Sequence, residues 1–240
     1  MLEFVLSRAD DALVLGHRLS EWCGRAPSLE EDVALANIGL DMLGQARSLY
    51  QLAAEIEGAG RDEDLYPFMR SDREYRNVLL VEQPNGDFAQ TVVRGFLYAG
   101  FIEPWWAAVA GGGEARLAAV AGKAVKESAY HWRHMAEWMI RLGDGTAESH
   151  RRVRDALDRL WPYAGELFEQ DFSWGEAPDP SLLKGEWDRR VDAVLTEATL
   201  DRPARAWLQT GGRRGRHSEH LGRMLAEMQV LPRMYPGAQW

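Results

Sequence analysis

One stretch of the chain has the residue types and the spacing of a helical metal site. In KESAYHWRHMAEW, residues 126–138, Glu127, His131, His134 and Glu137 follow one another at intervals of four, three and three residues. Residues three and four apart lie on the same side of a helix, and carboxylates and imidazoles are common ligands of transition metals. The stretch therefore raises the question of a metal site.

The ferritin-like class of helical bundles provides a strict test of that question. In its metal-binding members, two helices each supply a Glu, and the other two each supply Glu-x-x-His. Asp41, in an earlier predicted helix, is followed three residues later by Gly44, and Glu127 is followed by Tyr130. Both motifs lack their histidine. We therefore interpret Asp41, Glu127, Tyr130 and His131 as vestigial ligand positions, and we expect no metal in this chain.

The polar residues of the stretch also have a simpler explanation. At 100° per residue, the apolar side of this helix is centred roughly 120° from Glu127, which places the polar residues on the opposite half. The histidines and glutamates then belong to an ion-pair network or a subunit contact. We expect Asp41 to be a buried acid paired with a base from another helix. The alternative is an active di-metal oxidase that uses Asp41, Glu127, His131 and His134.

Two further regions are candidates for binding. TGGRRGRHSEHLG, Thr210 to Gly222, could bind an anion through backbone amides, arginines and a helix N-terminus capped by Ser218. The competing interpretation is a structured loop at an interface. Trp105 and Trp106 are adjacent and face different sides of their helix, so one of them is expected to meet a partner. The predicted interface residues are therefore Trp105, Trp106, Arg213, Arg214 and His217.

The elements that must position these residues are helices, because apolar residues recur mostly at three and four. The second predicted helix begins at the N-cap Ser28. Two long hairpins joined by a crossover near residues 65–77 predict an all-α, ferritin-like four-helix bundle with additional C-terminal helices. We expect one domain over residues 1–240, with a core bundle at about 1–143 and packing helices at about 144–240. The predicted helices span roughly 2–22, 28–56, a segment after 83–87 that includes 96–106, 114–142, 146–168, a segment from 187, and 218–230.

Composition excludes several classes of function. The chain has 28 Lys+Arg against 37 Asp+Glu and a net charge of -9, so it has no basic field to hold nucleic acid. It has no apolar segment of about 18 residues that would span a membrane. The single cysteine, Cys23, cannot form an internal disulfide, which fits a reducing compartment. We expect a cytoplasmic protein that binds neither nucleic acid nor membranes.

Six blocks distributed over almost the whole chain are long and distinctive. They are LANIGLDMLGQAR (35–47), LLVEQPNGDFA (79–89), KESAYHWRHMAEWMIRLGDGTAES (126–149), LWPYAGELF (160–168), TGGRRGRHSEHLGRMLAEMQ (210–229) and YPGAQW (235–240). In these blocks the chain resembles the C subunits of ring 1,2-phenylacetyl-CoA epoxidases, which are ferritin-like. A structural helical module unrelated to oxygenases is a third interpretation, which such dense blocks disfavour.

The resemblance implies a subunit of a bacterial multicomponent monooxygenase of phenylacetate catabolism. It implies that a homologous catalytic subunit holds a di-iron centre and takes phenylacetyl-CoA, while this chain pairs with that subunit as a non-catalytic scaffold. Small auxiliary components and a reductase, with NADPH, flavin and iron–sulfur centres, would complete the system. We expect no cofactor in this chain, and a homodimer when the partner is absent.

Overall fold

The computed structural model describes residues 1–170, 172, 177–204 and 207–238. Gln239 and Trp240, which end the block at 235–240, lie outside the described residues. Among the described residues the regular secondary structure is helical, without β-strands. The helices are α1 (Leu2–Ser20), α2 (Leu29–Glu57), α3 (Leu65–Met69), α4 (Leu79–Glu82), α5 (Phe88–Ala110), α6 (Ala115–Gly143), α7 (Ala147–Ala164), α8 (Lys184–Glu197) and α9 (Glu219–Met234), with short 3₁₀ helices at Asp72–Glu74, Gly165–Phe168, Pro180–Leu183 and Gly212–Arg214.

The long helices begin and end at local sequence signals. Ser28 caps α2 as predicted, since its hydroxyl accepts a hydrogen bond from the backbone N–H of Glu31. Gly58 ends α2 in the left-handed conformation at φ 65°. Asp87 caps α5 through the backbone N–H of Gln90. Because these signals are local, the bounds of the long helices were predictable to within a few residues.

Four long helices form the predicted ferritin-like bundle. α1 packs along α2, α5 packs along α6, and α2 also contacts α6. Phe4 lies 5.5 Å from Trp105, whereas Trp22 lies 5.9 Å from Phe88, measured between ring centroids, so α1 and α5 are antiparallel. The crossover between the two hairpins contains α3, a 3₁₀ helix and α4. None of the described helices is both long enough and apolar enough to span a lipid bilayer.

α5 lies at the centre of the molecule, which corrects one prediction. Trp105 and Trp106 are 0% and 1% exposed, because α6, α7 and α8 pack around α5 and Phe4 of α1 covers Trp105. The expectation that one of these indoles faces a partner is therefore wrong. The apolar surface of α5 instead meets the C-terminal helices α7 and α8 of the same chain.

The C-terminal helices share the core of the bundle. Leu157 of α7, Trp187 of α8 and Leu221 of α9 belong to the same cluster of buried apolar residues as Phe4 and the other buried apolar residues of α1. The Trp187 indole N–H also donates to the backbone carbonyl of Leu97 in α5 at 3.1 Å. α9 packs against α3, so the last helix is attached to the crossover.

Candidate functional site

The acids and histidines of the opening stretch lie at the contact between α2 and α6. His131 Nε2 is 3.0 Å from Asp41 Oδ2, and Gln45 Nε2 donates to Glu127 Oε2 at 2.9 Å. Lys123 Nζ is 3.2 Å from the other oxygen of Glu127. These residues therefore form a network of hydrogen bonds with one ion pair, Lys123–Glu127, and its partners come from α2 as well as from α6 itself.

Two more residues of the stretch lie in the same contact. His134 Nε2 is 3.1 Å from Glu31 Oε2, although the two atoms are not aligned for a hydrogen bond. Tyr130 is 38% exposed, and its ring lies beside the His134 ring and 5.6 Å from the Arg133 guanidinium. Tyr130 therefore lies at the surface and does not point into the bundle.

The structure corrects the expected burial of Asp41. Its side chain is 35% exposed, so Asp41 is only half-buried, although the expected pairing with a base from another helix is confirmed. Burial lowers the pKa of His131 below its ordinary value, while the hydrogen bond and the charge of Asp41 oppose that shift. His131 is therefore mostly neutral at pH 7, and the pair links the two helices mainly as a hydrogen bond.

The vestigial positions do not fit a di-iron centre. Within the part of the chain that the structure describes, no three His, Cys, Asp or Glu side chains converge as metal ligands would. Asp41 and Glu127 are each engaged by neighbouring side chains, and the positions three residues later are occupied by Gly44 and the surface residue Tyr130. The absence of a metal from this chain stays a prediction.

A far more deeply buried group of charges lies where α1 meets the crossover. The Asp11 carboxylate accepts hydrogen bonds from the Arg213 guanidinium at 2.7 and 3.0 Å and from the backbone N–H of Val78 at 2.8 Å. Arg8 donates to it at 3.3 Å. The side chains of Asp11, Arg213 and Arg8 are 0%, 2% and 6% exposed. Burial and, to a smaller extent, the Arg213 charge together lower the pKa of Arg8 to about 10, although the Asp11 charge opposes the shift.

The neighbouring acid Asp10 holds the crossover in a second way. Its carboxylate accepts hydrogen bonds from the Tyr50 hydroxyl at 2.6 Å and from the backbone N–H of Arg76 at 2.8 Å, and it forms an ion pair with Arg70. Asp10 therefore ties α1 to α2 and to the chain between α3 and α4. Adjacent acids on one helix thus serve different contacts.

The backbone amides of the loop at residues 210–222 bind a carboxylate of the same chain, that of Glu166. The Glu166 carboxylate accepts hydrogen bonds from the backbone N–H groups of Gly211 at 2.8 Å, Arg213 at 3.3 Å and Leu79 at 2.6 Å. Burial raises the pKa of Glu166, which these N–H groups and the Arg213 charge oppose. A Cβ added to Gly212 would lie 2.2 Å from the Asn77 carbonyl oxygen, so the close approach requires glycine. These amides are not available to an external ligand.

Two of the three loop residues predicted at an interface are internal. Arg213 pairs with Asp11, and His217 is buried against Glu82 with its side chain 2% exposed. Both expectations are wrong, because the loop packs onto α1 and α4 instead of standing away from the chain. Arg214 has a side chain that is 59% exposed and lies 3.7 Å from Glu169, so it is accessible at the surface.

Four buried acids, Asp10, Asp11, Glu82 and Glu166, were not identified from the sequence, although each is 0% exposed. For Asp10 and Asp11, the sequence did contain one signal of burial. Two adjacent acids interrupt a helix whose other residues are largely apolar, and Arg8 lies three residues before Asp11. Such acids inside an apolar pattern indicate a buried charge network as well as a solvated face.

The buried His217 is expected to make stability depend on pH. Burial alone would lower the pKa of His217, but Glu82 Oε2 at 2.8 Å and the Tyr75 carbonyl at 3.0 Å raise it above its ordinary value. The stabilisation that protonated His217 provides is therefore fully present below the unfolded-state pKa of about 6.5, and it is lost as pH rises through the raised folded-state pKa.

We expect the wild type to exceed His217→Gln by about 1–2 kcal/mol in unfolding free energy at pH 6, and the difference to shrink by pH 9. Urea unfolding of both proteins at the two pH values measures it. At each pH, subtracting the unfolding free energy of the variant from that of the wild type cancels the contribution of the other titrating groups. A difference that is the same at both pH values would contradict the assignment of the charge to His217.

Comparisons with known proteins identify the family of this chain. The sequence profile described as phenylacetic acid catabolic protein matches residues 1–240. Among curated proteins, the C subunit of 1,2-phenylacetyl-CoA epoxidase from Escherichia coli (strain K12) is 47% identical over 247 aligned positions, which cover 99% of this chain and 98% of the relative. The resemblance inferred from the six blocks is confirmed. At this identity and coverage, the chain belongs to the phenylacetic acid catabolic protein family.

Proposed function

We propose that the chain is a non-catalytic subunit of a phenylacetyl-CoA epoxidase in phenylacetate catabolism. It pairs with a homologous subunit that holds a di-iron centre, and it stabilises that subunit. The observation that carries the proposal is the engagement of the potential ligands: Asp41 is paired with His131, and Glu127 is held by Gln45 and Lys123. The name of the Escherichia coli relative, as one component of an epoxidase, supports the role of a subunit.

The proposal includes a division of work between the subunits. The homologous subunit holds the iron and phenylacetyl-CoA, while small auxiliary components and a reductase with NADPH, flavin and iron–sulfur centres complete the system. This chain contributes binding free energy. A protein that binds only the folded form of its partner stabilises it by mass action, by about 2.7 kcal/mol at a concentration of 100 times the dissociation constant.

Co-expression with the homologous subunit tests the proposal. The two chains are expected to co-purify, and the thermal midpoint of the homologous subunit is expected to rise when this chain is added. With all other components present, omission of this chain lowers the yield of active enzyme, whereas omission of the homologous subunit abolishes epoxide formation. Epoxide formed by this chain with the reductase alone would instead favour the di-metal oxidase.

Substitutions at the vestigial positions distinguish a non-catalytic subunit from a di-metal oxidase more sharply. Glu127→Ala and His131→Ala are expected to change the turnover of the assembled complex by no more than about twofold, because neither side chain is available as a ligand. The purified chain is expected to hold well below one iron per molecule. Phenylacetyl-CoA consumption, size-exclusion chromatography and elemental analysis measure turnover, assembly and iron. A loss of several orders of magnitude with assembly intact would overturn the non-catalytic assignment.

A further inference from the structure

A cavity lies where the end of α7 and the start of α8 meet the segment that begins at Arg202. Its volume is about 670 Å³. Cavities of about 300–1,000 Å³ that are lined mainly by apolar and aromatic side chains, with a few polar groups, are typical of small-molecule sites. The apolar side chains that line this one are Trp161, Ala164, Phe168, Trp187, Pro203 and Leu208. We call it the aromatic cavity.

Three aromatic rings lie together in the lining of the aromatic cavity. The Trp187 ring centroid lies 5.6 Å from that of Trp161 and 5.3 Å from that of Phe168. The Trp187 indole N–H already donates to the Leu97 carbonyl, and Phe168 has no polar atom. Aromatic rings pack favourably against one another in offset or edge-to-face arrangements. The lining therefore favours a flat aromatic ligand.

The charged side chains that line the aromatic cavity neutralise one another. Lys184 Nζ donates to both carboxylate oxygens of Asp188 at 2.9 Å. Arg202 pairs with Asp188 and also with Asp192, the latter at 3.0 Å. Burial alone would raise the pKa of Asp188, but hydrogen bonds to Lys184 and Arg202 and their charges lower it, so the carboxyl group stays ionised. Two cations thus face two carboxylates, and this balance favours a neutral ligand over an ionic one.

Asp188 has capacity for one more hydrogen bond. An ionised carboxylate has about four acceptor sites on its two oxygens. Lys184 and Arg202 use both sites of Oδ1 and one of Oδ2. The remaining site on Oδ2 can accept a hydrogen bond from a ligand that has an O–H donor.

We infer that the aromatic cavity binds a neutral aromatic alcohol, a flat molecule of one or two rings whose hydroxyl group donates to Asp188. The rings of Trp161, Phe168 and Trp187 provide the apolar contact. An aromatic carboxylate is a poorer ligand, because its charge would face Asp188 while the nearby cations are already neutralised. The inference does not rest on the proposed function, and it adds a small-molecule site to this chain.

Three probes with the same two-ring skeleton test the class of ligand. The wild-type chain is expected to bind 2-naphthol with a dissociation constant of about 0.1 mM, within the range for a ligand of this size. Naphthalene, which lacks the hydroxyl group, is expected to bind about fivefold more weakly. 2-Naphthoate, which is anionic, is expected to bind at least about tenfold more weakly than 2-naphthol. Equilibrium dialysis followed by absorbance gives the three dissociation constants.

Two tryptophan variants test the location. Trp161→Ala is expected to weaken binding of 2-naphthol at least about tenfold, because part of the aromatic lining is removed. Trp138→Ala is the matched control, expected to leave binding unchanged. Trp138 is also half-buried and also has an arginine over its ring, Arg141 at 5.3 Å, as Trp161 has Arg202 at 5.0 Å, but it does not line the cavity. Circular dichroism checks the folding of both variants.

An Asp188 variant provides a readout that a folding defect cannot imitate. In Asp188→Asn, Lys184 loses its carboxylate partner and Arg202 loses one of its two. The variant is therefore expected to bind 2-naphthoate about tenfold more tightly than the wild type does, because the freed cations attract the carboxylate. Binding of 2-naphthol is expected to weaken about threefold. A damaged cavity would instead weaken binding of every probe.

Each remaining outcome would overturn the inference. If 2-naphthol shows no saturable binding to the wild type at millimolar concentration, the aromatic cavity is not a site for this class of ligand. Equal affinity of the wild type and Trp161→Ala would place the bound ligand elsewhere. A wild type that prefers 2-naphthoate would show that the cavity selects anions. These results leave the proposed function unaffected, since that function is tested by co-purification and by omission of components.

Discussion

Replacing Asp11 with alanine is expected to lower the unfolding free energy by about 4 kcal/mol. The Asp11 carboxylate is the acceptor for Arg213, Arg8 and the backbone N–H of Val78. Removing one partner of a buried ion pair costs about 3–5 kcal/mol, because the remaining charge is left without compensation. Two buried guanidinium groups would lose this partner at once. Urea unfolding at pH 7, followed by circular dichroism, measures the loss.

Two further variants make this expectation specific. Asp11→Asn keeps the shape and one acceptor oxygen, so it is expected to fold and to lose about half as much. Asp41→Ala is the matched control, since Asp41 also pairs with a base of a distant helix but is 35% exposed. Its expected cost is about 1 kcal/mol or less. Equal losses for Asp11→Ala and Asp41→Ala would show that burial does not determine the effect.

Replacing Glu166 with alanine is expected to cost about 3–4 kcal/mol. Its carboxylate is 0% exposed and accepts the backbone N–H groups of Leu79, Gly211 and Arg213. Each buried N–H that loses its acceptor costs about 1–3 kcal/mol unless water replaces it. The contact between Leu79 of α4 and the Gly211–Arg213 turn would be weakened most, since the Glu166 carboxylate accepts hydrogen bonds from both.

Glu166→Gln provides the comparison for that expectation. Its carbonyl oxygen can accept on one side, but its amide N–H₂ faces backbone donors on the other, so about 2 kcal/mol should be lost. Hydrogen exchange is expected to report faster exchange at Leu79, Gly211 and Arg213 in both variants. Unchanged protection at these three amides would mean that they have other acceptors in solution.

The helices and the degenerate ligand pattern were predictable from the sequence because both are local. Apolar spacing of three and four, the cap at Ser28 and glycine signals such as Gly58 depend on residues within one or two turns. Glu-x-x-His is equally local, so Gly44 and Tyr130 identify the missing histidines without a structure. Two long hairpins of this kind are sufficient to predict a four-helix bundle.

Burial of the polar and aromatic residues was decided by the tertiary structure. Asp11 and Arg213 are separated by 202 residues, and Glu166 and Gly211 by 45, so no local pattern records that they meet. The sequence singled out Asp41 as the buried acid and Trp105 or Trp106 as surface residues, and neither expectation holds. An acid is buried stably only where distant donors converge on it, and an indole is buried wherever another helix covers it. Helical periodicity identifies the faces of each helix, and only the packing of distant helices determines which faces are covered.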